Sequence, residues 1–381
     1  MANVTEDLKE KLLNAVIAVE DKLSLAKFKV KDKLHILEPI NIMPYYGFGN
    51  EKYVYLKGRV LEDEKVKQSR DEDSVLTHLK NTYKRYESDE IPGIKLKASF
   101  AGQEQEVETD GEGYFNVEFR PDTPIDYSTT GNKIKLQLLE HKTGKDILEA
   151  EAYVFAPGKD VEFGIISDID DTVLVSNITH FLGRLKLMLM KNATERSPFP
   201  GIAGLLRAFC KGSDGKGQNP LFFVSGSEWN LYDLLISFFR SHDIPEGPLL
   251  LRDKGTQLDR GDFETSEEEY KREKIRHILD TYPDLKFICI GDSGQRDPEI
   301  YQKIVEEYPG RILGIYIRDV SPDERDKEVR KIAGQLKKHN VEMELVQETL
   351  SAAKHAAKMG WINQEQLEDV KQACEADEQE Q

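Results

Sequence analysis

Residues 163–172 read FGIISDIDDT, an apolar run closed by Asp168 and Asp170, two positions apart, with Thr172 two further on. If the run is a buried strand, its side chains alternate. Asp168 and Asp170 then project the same way at its carboxyl end while Ile169 packs. Two carboxylates so close repel, which calls for a cation between them or a proton shared by them.

Downstream, the same grammar repeats. LFFVS (221–225), LLL (249–251), FICIG (287–291) and ILGIYI (312–317) are short, nearly continuous apolar runs separated by helical stretches. Strands buried on both faces and joined by helices signify a parallel α/β sheet, whose sites sit at the carboxyl ends of its strands. With the opening stretch, four of these five runs end in Asp168, Ser225, Asp292 and the pair Arg318 and Asp319, polar residues at those ends.

Upstream, from about residue 50 to 156, the period is two. Val54, Leu56 and Val60 alternate with Tyr55, Lys57 and Arg59, and Ile94, Leu96, Ala98 and Phe100 with Lys95, Lys97 and Ser99. Phe115, Val117 and Phe119 follow the DGEG turn at Asp110–Gly113, then Ile134, Leu136 and Leu138, then Leu148, Ala150, Ala152 and Val154. This spacing predicts a small antiparallel β-sandwich, interrupted by a helix around Ser74–Tyr86. The sequence therefore divides into a lead-in with an amphipathic helix (1–39), the sandwich (40–160), an α/β domain (161–362) and an acidic tail (363–381).

At 381 residues, two domains are the expectation. A formal charge of −17 argues against a duplex nucleic-acid binder, which needs a basic face. Cys210, Cys289 and Cys374 lie far apart without CxxC spacing, suggesting neither disulfides nor zinc. The amino-terminal stretch carries Leu8, Leu12, Val16, Val19 and Leu23 at helical spacing, with Glu6 and Asp7 where a signal peptide would be basic. No apolar stretch reaches the roughly 18 residues of a membrane span. A cytoplasmic protein is expected, with peripheral membrane contact as the one route to a bilayer. The tail carries seven acidic groups against Lys371 alone, which predicts a solvated, frayed segment.

The aspartate pair has readings other than catalysis. An EF-hand counted from Asp168 would need Gly and Glu where Val173 and Thr179 stand. A glycosyltransferase DxD would require no second acidic strand end, and a helix N-cap cluster is the plainest alternative. The second acidic site is GDSGQRD (291–297), where Asp292, and with it Asp297, offers hard oxygens for Mg²⁺. Between the two sites lie Ser225, followed by Gly226, and a helix starting near Lys271, suitable ligands for phosphate oxygens.

In their order these motifs resemble the haloacid dehalogenase superfamily of phosphotransferases. DIDDT corresponds to its first motif, Ser225 to its second, Lys271 or Lys274 to its third and GDSGQRD to its fourth. More narrowly, ISDIDDTVLVSN, SPFPG, NPLFFVS, WNLYDLL, GPLLLRD, YPDLKF, IGDSGQRDPEIY and YPGRILGIYIRDVS resemble the actin-patch-type phosphatidate phosphatases and their bacterial relatives. GFGNE near residue 50 and TDGEGYF near 112 extend the likeness upstream.

The resemblance implies a haloacid-dehalogenase-like parallel α/β domain and a Mg²⁺-dependent phosphomonoesterase. In it Asp168 is the nucleophile and Asp170 the acid and base, while Ser225 and Lys271, with Lys274 in reserve, bind the transferring phosphoryl group. Asp168, Asp170 and Asp292 would form the metal side, and Thr172, Gly226, Asn230 and Asp297 the substrate side. Two departures stand out: SGSEWN replaces the common SSSPWN, so Gly226 and Glu228 stand for serine and proline, and Tyr270 replaces a frequent histidine.

Where this superfamily inserts a cap, about 177–200, residues 177–196 form an expected helix with Phe181, Leu182, Leu185, Met188 and Leu189 beside Arg184, Lys186 and Lys191. It could meet a phosphorylated lipid or simply pack within the protein. Phosphatidate is the substrate implied by resemblance. A soluble phosphate ester, or a non-catalytic scaffold retaining the fold, are the rivals.

Overall fold

The computed structural model describes residues 40–62, 91–139, 148–158, 160–173, 199–252, 266–321 and 323–380. The helices expected within 1–39, at Ser74–Tyr86 and at 177–196 lie outside the described residues. Contacts group the chain into two units, one holding the described residues up to 156 and the other those from 157 onward.

Among its described residues the first unit has eight strands: β1 (Ile40–Pro44), β2 (Gly47–Gly49), β3 (Val54–Glu62), β4 (Lys95–Phe100), β5 (Gln103–Glu108), β6 (Tyr114–Phe119), β7 (Lys133–Leu138) and β8 (Glu149–Phe155). They join in the order β1-β3-β2-β8-β7-β4-β5, with β6 also on β3. Every pair is antiparallel except β2 with β8. The alternating residues read from the sequence, among them Leu56, Leu96, Val117, Leu136 and Val154, meet in one core. Instead of two separate sheets face to face, hydrogen bonding runs continuously through β8, which takes β7 on one edge and β2 on the other. Phe100 on β4 and Phe119 on β6, far apart in that order, pack with ring centroids 5.9 Å apart, so the sheet curls over its own apolar face.

Strict alternation fails on β3. Lys57 and Arg59, expected to face outward, are buried, because both cations lie over the Tyr114 ring, at 4.9 and 4.5 Å from its centroid.

The second unit is built on six parallel strands: β9 (Gly164–Ser167), β10 (Leu221–Glu228), β11 (Leu249–Arg252), β12 (Phe287–Asp292), β13 (Ile312–Arg318) and β14 (Glu342–Val346), in the order β11-β10-β9-β12-β13-β14. Five are the apolar runs of the sequence. The sixth, EMELV, is an edge strand paired only to β13, and its two glutamates hide it from a search for apolar runs. The opening stretch thus forms the central strand. Its neighbours β10 and β12 follow it later in the chain on opposite sides, the reversal of strand order at which α/β sheets gather their sites.

Among the described residues of this unit, seven helices accompany the strands: α1 (Ile202–Lys211), α2 (Tyr232–Ser241), α3 (Glu267–Thr281), α4 (Asp297–Glu307), α5 (Asp323–Leu336), α6 (Thr349–Lys358) and α7 (Gln364–Glu380). Among the described residues, no helix is long and apolar enough to cross a membrane.

Helix α7 corrects the expectation of a frayed tail. Gln366, Val370 and Cys374 recur every four residues and are buried, forming a stripe against α1, where a Cβ on Gly204 would meet Val370 and Ala373. Gln366 donates to the Ala208 carbonyl, and Asp377 accepts from the backbone of Gly201. The acidic groups occupy the remaining face, so charge count alone misled the sequence reading. Val370→Asp would bury an unpaired carboxylate at a cost of several kcal/mol. The expected outcome is loss of amide-exchange protection across 364–380 while β9, β12 and β13 keep theirs; retained protection in α7 would show that the stripe does not hold it.

Candidate active site

The site is built at the carboxyl ends of β9, β10 and β12. Strand β9 stops at Ser167, and Asp168 is fixed through its backbone N–H, which donates to Ile290 on β12 at 2.9 Å. Ile169 is fully buried, as expected. Asp171 then takes a left-handed conformation, φ 56°, which turns the chain away from the strand direction immediately after Asp170.

Lys271 reaches Asp168. Helix α3 starts with Ser266, whose Oγ accepts from the Glu269 N–H, and with three glutamates in its first turn, where the helix dipole favours them. Lys271, Ile275, Ile278 and Leu279 then share one buried face at helical spacing. Being at the amino-terminal end of that stripe, the lysine points at the strand ends. Its Nζ donates to Asp168 Oδ1 at 2.8 Å, Asp297 Oδ1 at 2.9 Å and Gln295 Oε1 at 3.0 Å. The exposures of Lys271 and Asp168, 3 % and 1 %, make this a desolvated ion pair. Lys274, the other candidate, lies over the Tyr270 ring at 5.0 Å.

Asp297 opens α4, a favourable place for an anion. Its Oδ2 accepts from the Asp292 N–H at 3.1 Å. That approach requires Gly291, since a Cβ there would sit 2.5 Å from the same oxygen. Asp292 Oδ1 accepts from the Gln295 N–H at 2.8 Å. Asp168, Asp292 and Asp297 thereby bring one carboxylate oxygen each within 4.8 Å of one another.

Asp170 is handled differently. Its Oδ2 accepts from Ser225 Oγ at 2.7 Å and from Ser227 Oγ at 3.0 Å, and Ser225 Oγ in turn accepts from the Ser227 N–H. The carboxylate read as part of the metal side thus stands on two hydroxyls, and Asp297, read as a substrate-side residue, completes the three-carboxylate cluster. The backbone carbonyl of Asp170 accepts from Gln295 Nε2 at 3.4 Å.

The remaining expected residues divide. Thr172 is fully buried and its Oγ1 has no partner among the described residues. Gly226 is pressed by Glu267, whose carboxylate would be 2.6 Å from a Cβ. Asn230 donates to Glu228 and contacts none of the aspartates.

The charge balance is uneven. Lys271 stays an ammonium: burial alone would lower its pKa, but Asp168 and Asp297 hold it well above its ordinary value. Burial, together with neighbouring carboxylates, pushes Asp168 well up against the pull of Lys271, and Asp292 up to about 7. Burial also raises Asp170, against the hydrogen bonds from its serines. Asp168 Oδ2 and Asp292 Oδ2 are buried with no hydrogen-bond partner among the described residues. Three clustered carboxylates, one ammonium and two orphaned oxygens fit a hard divalent cation.

Three contributors escaped the sequence reading. Ser227 shares a strand face with Ser225 by the period of two. Gln295 links Lys271, Asp292 and Asp170 from inside the fourth motif. Arg325, on α5, grips the carbonyls of Ser293 and Gln295 at 3.1 Å each and the Glu299 carboxylate, bracing that motif from outside. Only the serine had a local signal.

Residues 163–319 match the family model of the catalytic domain of phosphatidate phosphatase APP1. An uncharacterized protein of Schizosaccharomyces pombe is 27 % identical over 244 residues, 62 % of this chain and 39 % of its own. Phosphatidate phosphatase APP1 of Saccharomyces cerevisiae is 31 % identical over 159 residues, 41 % of this chain and 25 % of its own. This chain therefore spans well under half the length of these curated relatives. Among solved structures, a carbohydrate acetylesterase from Xanthomonas citri aligns with a TM-score of 0.24 at 11 % identity, over 76 % of this chain and 72 % of that one, a likeness too faint to inform the fold.

Proposed function

We propose that the chain is a Mg²⁺-dependent phosphomonoesterase of haloacid-dehalogenase type, its α/β domain preceded by a β-sandwich domain, and that its substrate is phosphatidate. One observation carries the chemistry: carboxylates two residues apart stand in different surroundings, Asp168 on a buried ammonium within a carboxylate cluster and Asp170 on two serine hydroxyls. Such a split suits a nucleophile and a proton carrier. The match to the phosphatidate phosphatase catalytic domain supports the substrate.

In this reading a carboxylate oxygen of Asp168 attacks the phosphorus and the ester P–O bond breaks. Asp170, protonated, gives its proton to the leaving alkoxide. Asp170 then takes a proton from water as that water attacks the aspartyl-phosphate, and breaking the P–O bond to Asp168 frees phosphate and restores the carboxylate. Ser225 and Ser227 fix where Asp170 points, and Lys271 holds Asp168 while its charge offsets that of the phosphoryl oxygens. Asp168, Asp292 and Asp297 would hold Mg²⁺, which when bound neutralises phosphate charge and favours ionised carboxylates.

A panel of phosphatidate micelles and water-soluble phosphate esters, each with Mg²⁺ and with EDTA, tests the proposal. The expected result is phosphate release from phosphatidate that EDTA abolishes, with soluble esters at least tenfold slower. Equal rates on all esters would move the substrate to the soluble class, and release unaffected by EDTA would overturn the metal dependence.

A further inference from the structure

Arg318 ends β13 directly opposite Asp292 in the ladder, so it rises from the same end of the sheet as the carboxylate cluster. It is 6 % exposed, yet no carboxylate pairs with it among the described residues. Its guanidinium lies over the Phe199 ring, 3.9 Å from the centroid, and one N–H donates to Thr349 Oγ1 at 2.8 Å. Thr349 opens α6, a helix of ten residues without a side-chain N-cap, so the cation stands at the positive end of a helix dipole. A buried charge normally has an acidic partner, and a cation at a helix amino terminus is the reverse of the favourable arrangement. Burial lowers the Arg318 pKa to about 10, which leaves it charged, and the nearby Cys374 thiol, which also feels Asp377, Glu378 and Glu348, is kept neutral chiefly by burial.

We infer that Arg318, with Thr349 and the amino terminus of α6, forms a binding site for a phosphate-class oxyanion, distinct from the carboxylate cluster. A guanidinium offers N–H groups in a planar fork that matches two oxygens of such a group, and the Phe199 ring fixes the plane of that fork. Both arrangements that are unfavourable for the protein alone, the unpaired burial and the helix end, become favourable once the ligand carries negative charge. The ligand is either the phosphate headgroup of a lipid or free inorganic phosphate. The site itself does not depend on the phosphatase reading; only its assignment to substrate does.

The test is thermal unfolding of the full chain in EDTA, titrated with inorganic phosphate against chloride at equal ionic strength. Without a divalent cation the carboxylate cluster repels phosphate, so a saturable response reports on Arg318. Wild type is expected to gain roughly 5–10 °C at about 100 times Kd. Arg318→Met is expected to melt at or above wild type without phosphate, since it removes an uncompensated buried charge, and to show no phosphate response. Arg318→Lys, which keeps charge without the fork, should respond with at least tenfold weaker affinity and supplies the comparison if the methionine variant does not fold. A wild type indifferent to phosphate, or a response undiminished in the variants, would overturn the site. A purely structural arginine predicts instead that Arg318→Met melts lower at every phosphate concentration. Kinetics with Mg²⁺ separate the sources: a raised KM for phosphatidate micelles in the variants assigns the site to the headgroup, and lost inhibition by phosphate at constant KM assigns it to the free anion.

Discussion

Asp168→Asn is expected to lower turnover by a factor on the order of 10⁴ or more, the scale on which enzymes lose rate when a nucleophile is removed. The substitution changes one oxygen to an amide nitrogen and leaves the other to accept from Lys271, whose donation to Asp168 is the shortest of its three. The fold should therefore persist, with a melting temperature within a few degrees of wild type, and the defect should lie in kcat. Phosphate release followed under single-turnover conditions would measure it. A variant retaining even one part in ten of wild-type activity would remove Asp168 from the role of nucleophile, and with it the covalent route.

The second large effect belongs to Lys271. Lys271→Met keeps the length of the side chain and its place on the buried stripe of α3, but leaves Asp168 and Asp297 facing each other without their cation. Breaking a buried pair by removing one partner costs about 3–5 kcal/mol, because the other charge remains in a poorly solvating place. For a domain of this size that corresponds to a fall in melting temperature on the order of 10 °C. Activity should fall with it, and calorimetry at neutral pH is the direct measurement. Since the destabilisation comes from carboxylate repulsion, adding Asp297→Asn to Lys271→Met should recover part of the lost melting temperature without recovering turnover. A Lys271→Met protein as stable as wild type would mean that the bridge contributes no net stability.

Much of this was legible in the chain because the signals are local. A run such as FGIIS is a buried strand wherever it occurs in an α/β sequence, and the polar residue ending it must lie at the sheet's edge. The preference for Lys271 over Lys274 comes from the resemblance, through the KxxxI spacing to Ile275; the structure puts Lys271 on the buried face of α3 with Ile275, Ile278 and Leu279, and Lys274 over the Tyr270 ring. What escaped depends on neighbours distant in sequence. No local pattern says that Asp297 rather than Asp170 closes the carboxylate cluster, since that follows from a missing side chain at Gly291 and from the hydroxyls of Ser225 and Ser227, distant in sequence, that hold Asp170. Lys57 and Arg59 look like an outward face until Tyr114 supplies a ring to cover them. In 363–381 the spacing of Gln366, Val370 and Cys374 was present but outnumbered by acids, and net charge is a poor guide when it all lies on one side of a helix. That Arg318 meets no acidic partner among the described residues is a property of the assembled domain and has no sequence signature.

The bond from the Gly201 N–H to Asp377 joins residues 176 positions apart, and Cys374 meets the Pro200 carbonyl beside it. A ribosome delivers the chain amino end first, so the strands and the clustered aspartates emerge while this fastening is still unmade. Phe199, two residues before Gly201, is what covers Arg318. The turn that carries this ring is therefore fastened only once Asp377 has emerged, well after Arg318 itself and after Asp168, Asp170, Asp292 and Asp297.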